Sequence, residues 1–317
     1  MLSPTTVIGS GFLQQVLTKK KGLVKPLLSW DSLLSELAVA ADLLSAYNSS
    51  LSATMPTVQW DEFVRAAVSN QQCQNQKSAS KVELKLKGQV AKILKTALQS
   101  AIPMNEVKVA DFLAATGDHI VSLNFDDLLS QGSLFNKSRP SSGKKFERFE
   151  KNGKTIWHPH GCITKPKSIK LGQRDYGFLP QEWSCKISKF KAFERGHKAV
   201  SKDVISDEEF SEMTKSLQAG NCEPEQSLVG HLLIGPLIFF GVGMSQSEWG
   251  LWWLLNQRAR NLARVPPEQR PPTVIIKQRQ DPQAALWELG PVGMSTIFVD
   301  DWDEGWGKLL QWLRQYK

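Results

Sequence analysis

No CxxC pair occurs in this chain, and its four cysteines, Cys73, Cys162, Cys185 and Cys222, stand far apart. That argues against a zinc ribbon, and scattered thiols suit a reducing compartment. No basic region precedes the first apolar residues of MLSPTTVIGSGF, so a secretory signal is not expected. Long hydrophobic runs are missing too. The most apolar stretch, residues 228–244, contains His231, Pro236 and several glycines. It is short for a bilayer span and reads as a turn followed by a buried strand. Internal repeats and low-complexity tracts are absent. These absences point to a soluble cytoplasmic protein without a membrane partner.

What remains is an ordinary globular composition: 317 residues, 41% hydrophobic and 22% charged, enough for one large domain or two modest ones. The net charge is +8 and the pI about 9.2, with local clusters at residues 19–21 and 186–198. Such a balance suits an anionic ligand. Diffuse basic charge is more commonly a solvated face, so direct nucleic-acid binding is not expected. Tryptophan outnumbers tyrosine by 11 to 3. That excess fits packing between subunits and core packing about equally.

The chain is organised around residues 120–129, IVSLNFDDLL. An apolar run breaks into Asn124, and Asp126 and Asp127 open a helix-like segment. A buried parallel strand that ends at a ligand crevice has this pattern, as does a plain strand running into a capped helix. Two other short apolar runs behave similarly. Residues 5–8 lead into Gly9-Ser10-Gly11-Phe12, a turn that brings backbone N–H groups up to a diphosphate. Residues 237–240 lead into Gly241-Val242-Gly243-Met244-Ser245, and Ser245 or Ser247 can cap the tryptophan-rich helix expected at 248–263. Asn152-Gly153 predicts a hairpin of residues 146–150 with 154–158, whose second arm delivers Trp157-His158-Pro159-His160-Gly161. Only five histidines are present, so this pair stands out. A histidine titrates near neutral pH and can take a proton from water or a ribose hydroxyl, although bonding a nearby carbonyl is the default for either one alone. No acidic or cysteine cluster supplies further metal ligands, so no metal is expected.

Helices are expected at 27–44, 60–69, 79–101, 104–115, 187–199, 208–217, 282–289 and 303–316, with strands at 168–176, 273–276 and 296–299. Strands alternating with helices predict an α/β fold: a Rossmann-like parallel sheet with helices on both faces. Residues 49–103 form a helical insertion over it, and 181–226 a charged, variable segment.

The order of these motifs resembles the sirtuin-like NAD-binding family. It runs through Gly9 to Phe12, a Ser-Trp with a leucine-rich helix at 29–37, and Ser-Leu-Asn-Phe-Asp at 122–126. His-Pro-His-Gly follows at 158–161, then Lys-Leu-Gly-x-x-Asp-Tyr at 170–176 and Gly-x-Gly-x-Ser at 241–245. More narrowly, it resembles the branch found in bacterial anti-phage defence proteins, of which the Kongming type with a nucleotide-sensing partner is an example. The resemblance implies one sirtuin-like domain over residues 1–317. It implies Asn124 and His160 as the catalytic pair, with Gly9, Ser10, Gly11 and Phe12 at the diphosphate. Gly243 and Ser245, with Gly241 beside them, would line the adenosine end. Asp126 would fix the loop or a ribose hydroxyl, and His158 would join the NAD-binding residues. Whether His158 or His160 is the base stays open in the sequence, and His160 is preferred as the neighbour of the glycine. Without a zinc ribbon to frame an acyl-lysine groove, the implied reaction is hydrolysis of NAD, used as substrate with no metal, to nicotinamide and ADP-ribose. The implied role is an NAD-depleting effector controlled by a regulatory protein encoded nearby or by homo-oligomerisation. The alternative is a catalytically silent NAD- or nucleotide-binding regulatory subunit.

Overall fold

The structure, a computed structural model, describes residues 2–17, 30–43, 55–70, 76–100, 105–131, 146–151, 153–177, 207–220, 222, 224–244, 248–263 and 265–316. The strands are β1 (Thr5–Ile8), β2 (His119–Ser122), β3 (Glu147–Lys151), β4 (Lys154–His158), β5 (Leu237–Phe240), β6 (Thr273–Gln278) and β7 (Ser295–Val299). The helices are α1 (Ser10–Val16), α2 (Trp30–Ala40), α3 (Pro56–Asn70), α4 (Gln76–Ser100), α5 (Glu106–Ala115) and α6 (Leu128–Gln131). They continue as α7 (Gln173–Gly177), α8 (Asp207–Gln218), α9 (Pro224–Ile234), α10 (Trp249–Leu262), α11 (Ala284–Glu288) and α12 (Trp302–Gln315).

One sheet runs β3-β4-β2-β1-β5-β6-β7, parallel throughout except for β3, which pairs antiparallel with β4. β1, β2 and β5 are buried at every position. That is why they read as continuous apolar or β-branched runs instead of alternating ones. Register sorts the side chains into two layers. Val7 pairs with Val121 and Phe239, and these align in turn with Trp157 and Ile275; all five enter one core. Ile8, Ile120, Ile156, Ile238, Phe240 and Ile276 enter the opposite core. A side chain moves to the other face with each step along a strand, so a one-residue slip would exchange the two cores.

Helices α1 to α5 and α12 contribute to the second core, while α8 to α11 contribute to the first. The fold is therefore α/β and Rossmann-like with both faces covered. Helices α3 and α4 extend one face: Trp60 and Phe63 of α3, and Val82, Leu86 and Val90 of α4, join the same core as Ile8 and Phe12. Among the described residues Trp60, Trp157, Trp287, Trp306 and Trp312 are buried, and Trp30, Trp252, Trp253 and Trp302 pack against the cores half-buried. Trp249, 61% exposed at the start of α10, is the exception that matters for the site.

Two segments differ from expectation. Residues 168–176 form no strand; a 3-10 turn at Pro166–Ser168 precedes α7. Side-chain acceptors hold that shape: Asp175 accepts from the Leu171 N–H at 3.2 Å, and Asp61 of α3 accepts from the Gln173 N–H at 3.0 Å. Residues 228–234 are helix α9 and not a turn. Leu228, Val229, Leu232, Leu233 and Ile234 are all buried, so no polar stripe marks the helical period. The helix expected at 187–199 lies outside the described residues, as do Asn152 and the caps Ser245 and Ser247.

Arg258 of α10, 2% exposed, clamps the base of the sheet. Its guanidinium donates to Thr273 Oγ1 at 2.7 Å, to the Leu232 carbonyl at 3.0 Å and to the Pro271 carbonyl at 3.0 Å. Burial pulls it down to about 9, which still leaves it charged at neutral pH. Arg258→Met keeps much of the volume but strands those carbonyls. It is expected to cost about 3 kcal/mol, read as a lower urea midpoint with an unchanged m-value.

Candidate active site

The chain leaves β1, builds β2 and β4 on one side, and returns to the other side of β1 for β5. The helices that follow β1 and β5 therefore diverge, and open α/β sheets bind ligands outside the strand ends at such a switch point. Both glycine turns sit there. Gly9 N–H donates to the Phe240 carbonyl at 3.1 Å, and Gly11 N–H donates to the Gly241 carbonyl at 3.1 Å. The backbones touch. A Cβ on Gly11 would lie 2.5 Å from Gly241 Cα, and one on Gly9 would lie 2.4 Å from the Gly241 oxygen. Gly241 also has φ +65°, in the left-handed region. These glycines thus serve the contact between the turns, and Gly11 N–H already has an acceptor within the protein. The Phe12 ring is buried against Phe112 and Trp306 at 4.8 and 5.7 Å, and Phe12 N–H donates to the Gly9 carbonyl. Ser10 is partly exposed at the start of α1. Gly243 is exposed, and its carbonyl accepts from Lys277 Nζ of β6 at 3.1 Å. Ser245 lies outside the described residues.

Past β2, Leu123 N–H continues the ladder to the Ile8 carbonyl, and Asn124 Nδ2 donates to the Gly9 carbonyl at 3.0 Å. The amide therefore ties the exit of β2 to the exit of β1. Asp126 Oδ1 accepts from Leu128 N–H at 3.0 Å and caps α6, while its Oδ2 is buried without a hydrogen-bond partner. Burial pushes this carboxyl up to about 7.

His158 ends β4, His160 follows it, and the two rings face consecutive carbonyls. His158 Nδ1 lies 3.2 Å from the Asn124 carbonyl, and His160 Nδ1 lies 3.3 Å from the Leu123 carbonyl. A carbonyl only accepts, so each Nδ1 carries the hydrogen and each neutral ring has its lone pair at Nε2. The two rings differ in surroundings. His158 Nε2 is buried without a partner, its ring meets Phe149 edge-on at 5.5 Å, and burial pulls it down to about 4. His160 instead has polar company: Tyr176 Oη lies 3.4 Å from Nδ1, and Glu248 Oε2 lies 3.3 Å from Nε2. Gly161, at φ +87°, makes this turn possible, since a Cβ there would lie 2.1 Å from the Ser168 carbonyl oxygen.

His158 and His160 thus face the consecutive Asn124 and Leu123 carbonyls, while the Asn124 amide bonds the Gly9 carbonyl of the first glycine turn. The family comparison bears on the same segment: the profile of the SIR2-like domain matches residues 118–289, from just before β2 to beyond α11. The chain belongs to the SIR2-like family. SIR2-like domains are in general NAD-dependent enzymes, so NAD is the small molecule this fold implies. No curated protein and no solved structure matches the chain. β1 and its glycine turn precede the matched segment, but hydrogen bonds place them at the centre of the SIR2-like sheet. Among the described residues no group of three or more His, Cys, Asp or Glu side chains is arranged to hold a metal ion. No helix among them is long and apolar enough to cross a membrane.

Sequence reasoning passed over two neighbours of His160. Glu248 reads as an acid at a helix start, an ordinary dipole-matching residue. Tyr176 belongs to a quoted motif without a role. Only the tertiary fold brings either to the imidazole.

The buried histidines make stability depend on pH. Burial pulls His119 to about 3 and His158 to about 4, against an ordinary 6.5, and lowers His231 as well. The unfolded chain then takes up more protons below pH 6.5, and this part of the stability, full above 6.5, is lost as pH falls towards 4. Asp126 acts in the opposite sense. Raised from 3.8 to about 7, it adds stability at low pH that is lost as pH rises through 7. Burial raises Asp61 and Asp127 in the same sense, but the three imidazoles lose most between these pH values, so stability at pH 5 is expected to be lower than at pH 6.5 by roughly 1–2 kcal/mol. Urea midpoints at the two pH values check the sign.

Proposed function

We propose that this chain is an NAD glycohydrolase that splits the nicotinamide–ribose bond with water, giving nicotinamide and ADP-ribose. The observation that supports the reading is that both side chains are anchored beyond neighbouring strands: the Asn124 amide bonds the Gly9 carbonyl and the His160 imidazole faces the Leu123 carbonyl. The bond breaks through an oxocarbenium-like state, as glycosides do, and nicotinamide leaves as a neutral ring from a cationic one. Strong acid catalysis is unnecessary. The protein has to hold the ribose, restrict water and supply a base.

His160 is the base in this reading, with Nε2 free of a proton in the neutral ring. Asn124 orients a ribose hydroxyl or the attacking water. His158, buried and engaged at the Asn124 carbonyl, positions the Asn124 loop. Gly9, Ser10, Gly11 and Phe12 supply the turn beside the diphosphate through their backbone. Gly241, Gly243 and Ser245 form the adenosine side, and Asp126 holds the start of α6 behind the ribose.

We read residues 1–317 as one SIR2-like unit acting in the cytoplasm, with its insertion at about 49–103 and its variable segment at about 181–226. The role proposed is that of an NAD-depleting effector of bacterial anti-phage defence, controlled by a partner protein encoded nearby or by assembly. Two features support control through surfaces near the site. Trp249 is 61% exposed beside Glu248. The insertion also reaches the turn that carries Tyr176, through the bond that Gln173 N–H donates to Asp61 and the Lys87–Asp175 ion pair at 2.8 Å. The test is chromatography of NAD incubated with the purified chain, with and without the product of the adjoining gene. Equal nicotinamide and ADP-ribose support the hydrolase. Tight NAD binding without release overturns it in favour of a silent regulatory subunit.

A further inference from the structure

We propose that Glu248 is the positioning carboxylate of His160, holding the imidazole for proton transfer and stabilising the imidazolium formed in the reaction. The inference rests on the hydrolase reading above and adds a residue to it. Glu248 Oε2 lies 3.3 Å from His160 Nε2, yet this buried oxygen has no hydrogen bond. The two facts fit together. The carboxylate stands beside Nε2 at ion-pair distance but away from the axis along which the ring would donate or accept. It leaves the Nε2 lone pair directed elsewhere, open to a substrate proton.

The opposite nitrogen is fixed by the Leu123 carbonyl at 3.3 Å and Tyr176 Oη at 3.4 Å. The ring thus has an acceptor-only carbonyl at Nδ1 and a carboxylate alongside Nε2. The other carboxylate close to Tyr176 is Asp175, which is paired with Lys87. Glu248 is therefore the acid of this group that meets the imidazole.

The step balances as follows. The bond between ribose C1′ and the nicotinamide nitrogen breaks, and its electron pair leaves with nicotinamide. The water oxygen bonds to C1′, its proton passes to His160 Nε2, and Glu248 stays ionised until the imidazolium releases the proton to solvent. No oxidant or second substrate is needed.

The test uses the full chain, with the product of the adjoining gene supplied as above, and the variants Glu248→Gln and Glu248→Asp. The ¹⁵N resonances of the His160 ring in the protein without NAD read the pairing independently of turnover, and they are expected to move on Glu248→Gln. In NAD hydrolysis, kcat should fall about 100-fold in Glu248→Gln with KM within about threefold, and Glu248→Asp should recover at least about a tenth of the lost rate. Unmoved resonances overturn the pairing whatever the activity, and an unchanged kcat overturns the role in proton transfer. If the unsubstituted chain releases no nicotinamide while the resonances still respond, the hydrolase reading falls and takes the proton-transfer role with it.

Discussion

His160→Ala is expected to reduce NAD hydrolysis about a thousandfold while the chain stays folded. The imidazole stands just past β4 with Nδ1 held by the Leu123 carbonyl and Tyr176, and with Glu248 beside Nε2. Removing it takes away the base and leaves the glycine turns and the Asn124 contact to Gly9 in place. The loss should fall on kcat, with NAD binding retained. Asn124→Ala is expected to act similarly and also to raise KM, because its amide joins the exits of β1 and β2. His158→Ala is the informative contrast. That ring is buried against Phe149 and bonds the Asn124 carbonyl. Its loss should lower the unfolding midpoint and weaken activity through the displaced loop. If His158→Ala abolished turnover in a chain of normal stability while His160→Ala did not, the two histidines would exchange roles.

Gly241→Ala is expected to unfold the chain or leave it insoluble. The added Cβ would meet Gly11 Cα at 2.5 Å and the Phe12 nitrogen at 2.6 Å, both backbone atoms with no rotamer to escape into. The positive φ of 65° adds strain of its own. β1 and β5 are adjacent central strands, so separating their exits disturbs ladder bonds and both cores at once. A destabilisation of about 4 kcal/mol or more is a large share of a typical domain's total stability. Gly243→Ala is the control: nothing lies within 4 Å of the added Cβ, and its φ is not positive. Thermal unfolding of the two variants should separate them clearly, Gly243→Ala staying close to the parent.

Much of this arrangement is legible from residues. β1 and β5 begin and end where their apolar runs do, because a strand buried on both faces shows no alternation and stops at its glycines. The hairpin of β3 and β4 follows from its turn, with Gly153 at φ +77°. Asn124 and the two histidines lie at the exits of the adjacent strands β2 and β4, and parallel topology brings such strand ends together. Other features are invisible to local pattern. The second half of helix α9 is buried almost throughout, so no alternation of apolar and polar faces separates it from a turn before a strand. The segment before α7 depends on Asp61, 112 residues away from the N–H it accepts. Glu248 reaches His160 only because α10 begins beside β4's exit, which no spacing along the chain reveals. The glycine turns read as cradles for a ligand, whereas their first requirement is room for each other.

The account is tested most directly by one measurement: nicotinamide and ADP-ribose released from NAD by the purified chain, with the product of the adjoining gene supplied, followed by chromatography beside the Asn124→Ala and His160→Ala variants. The account predicts the two products in equal amounts from the parent chain and almost none from either variant. Intact NAD in every sample, or equal release by the parent and the His160→Ala variant, would contradict it.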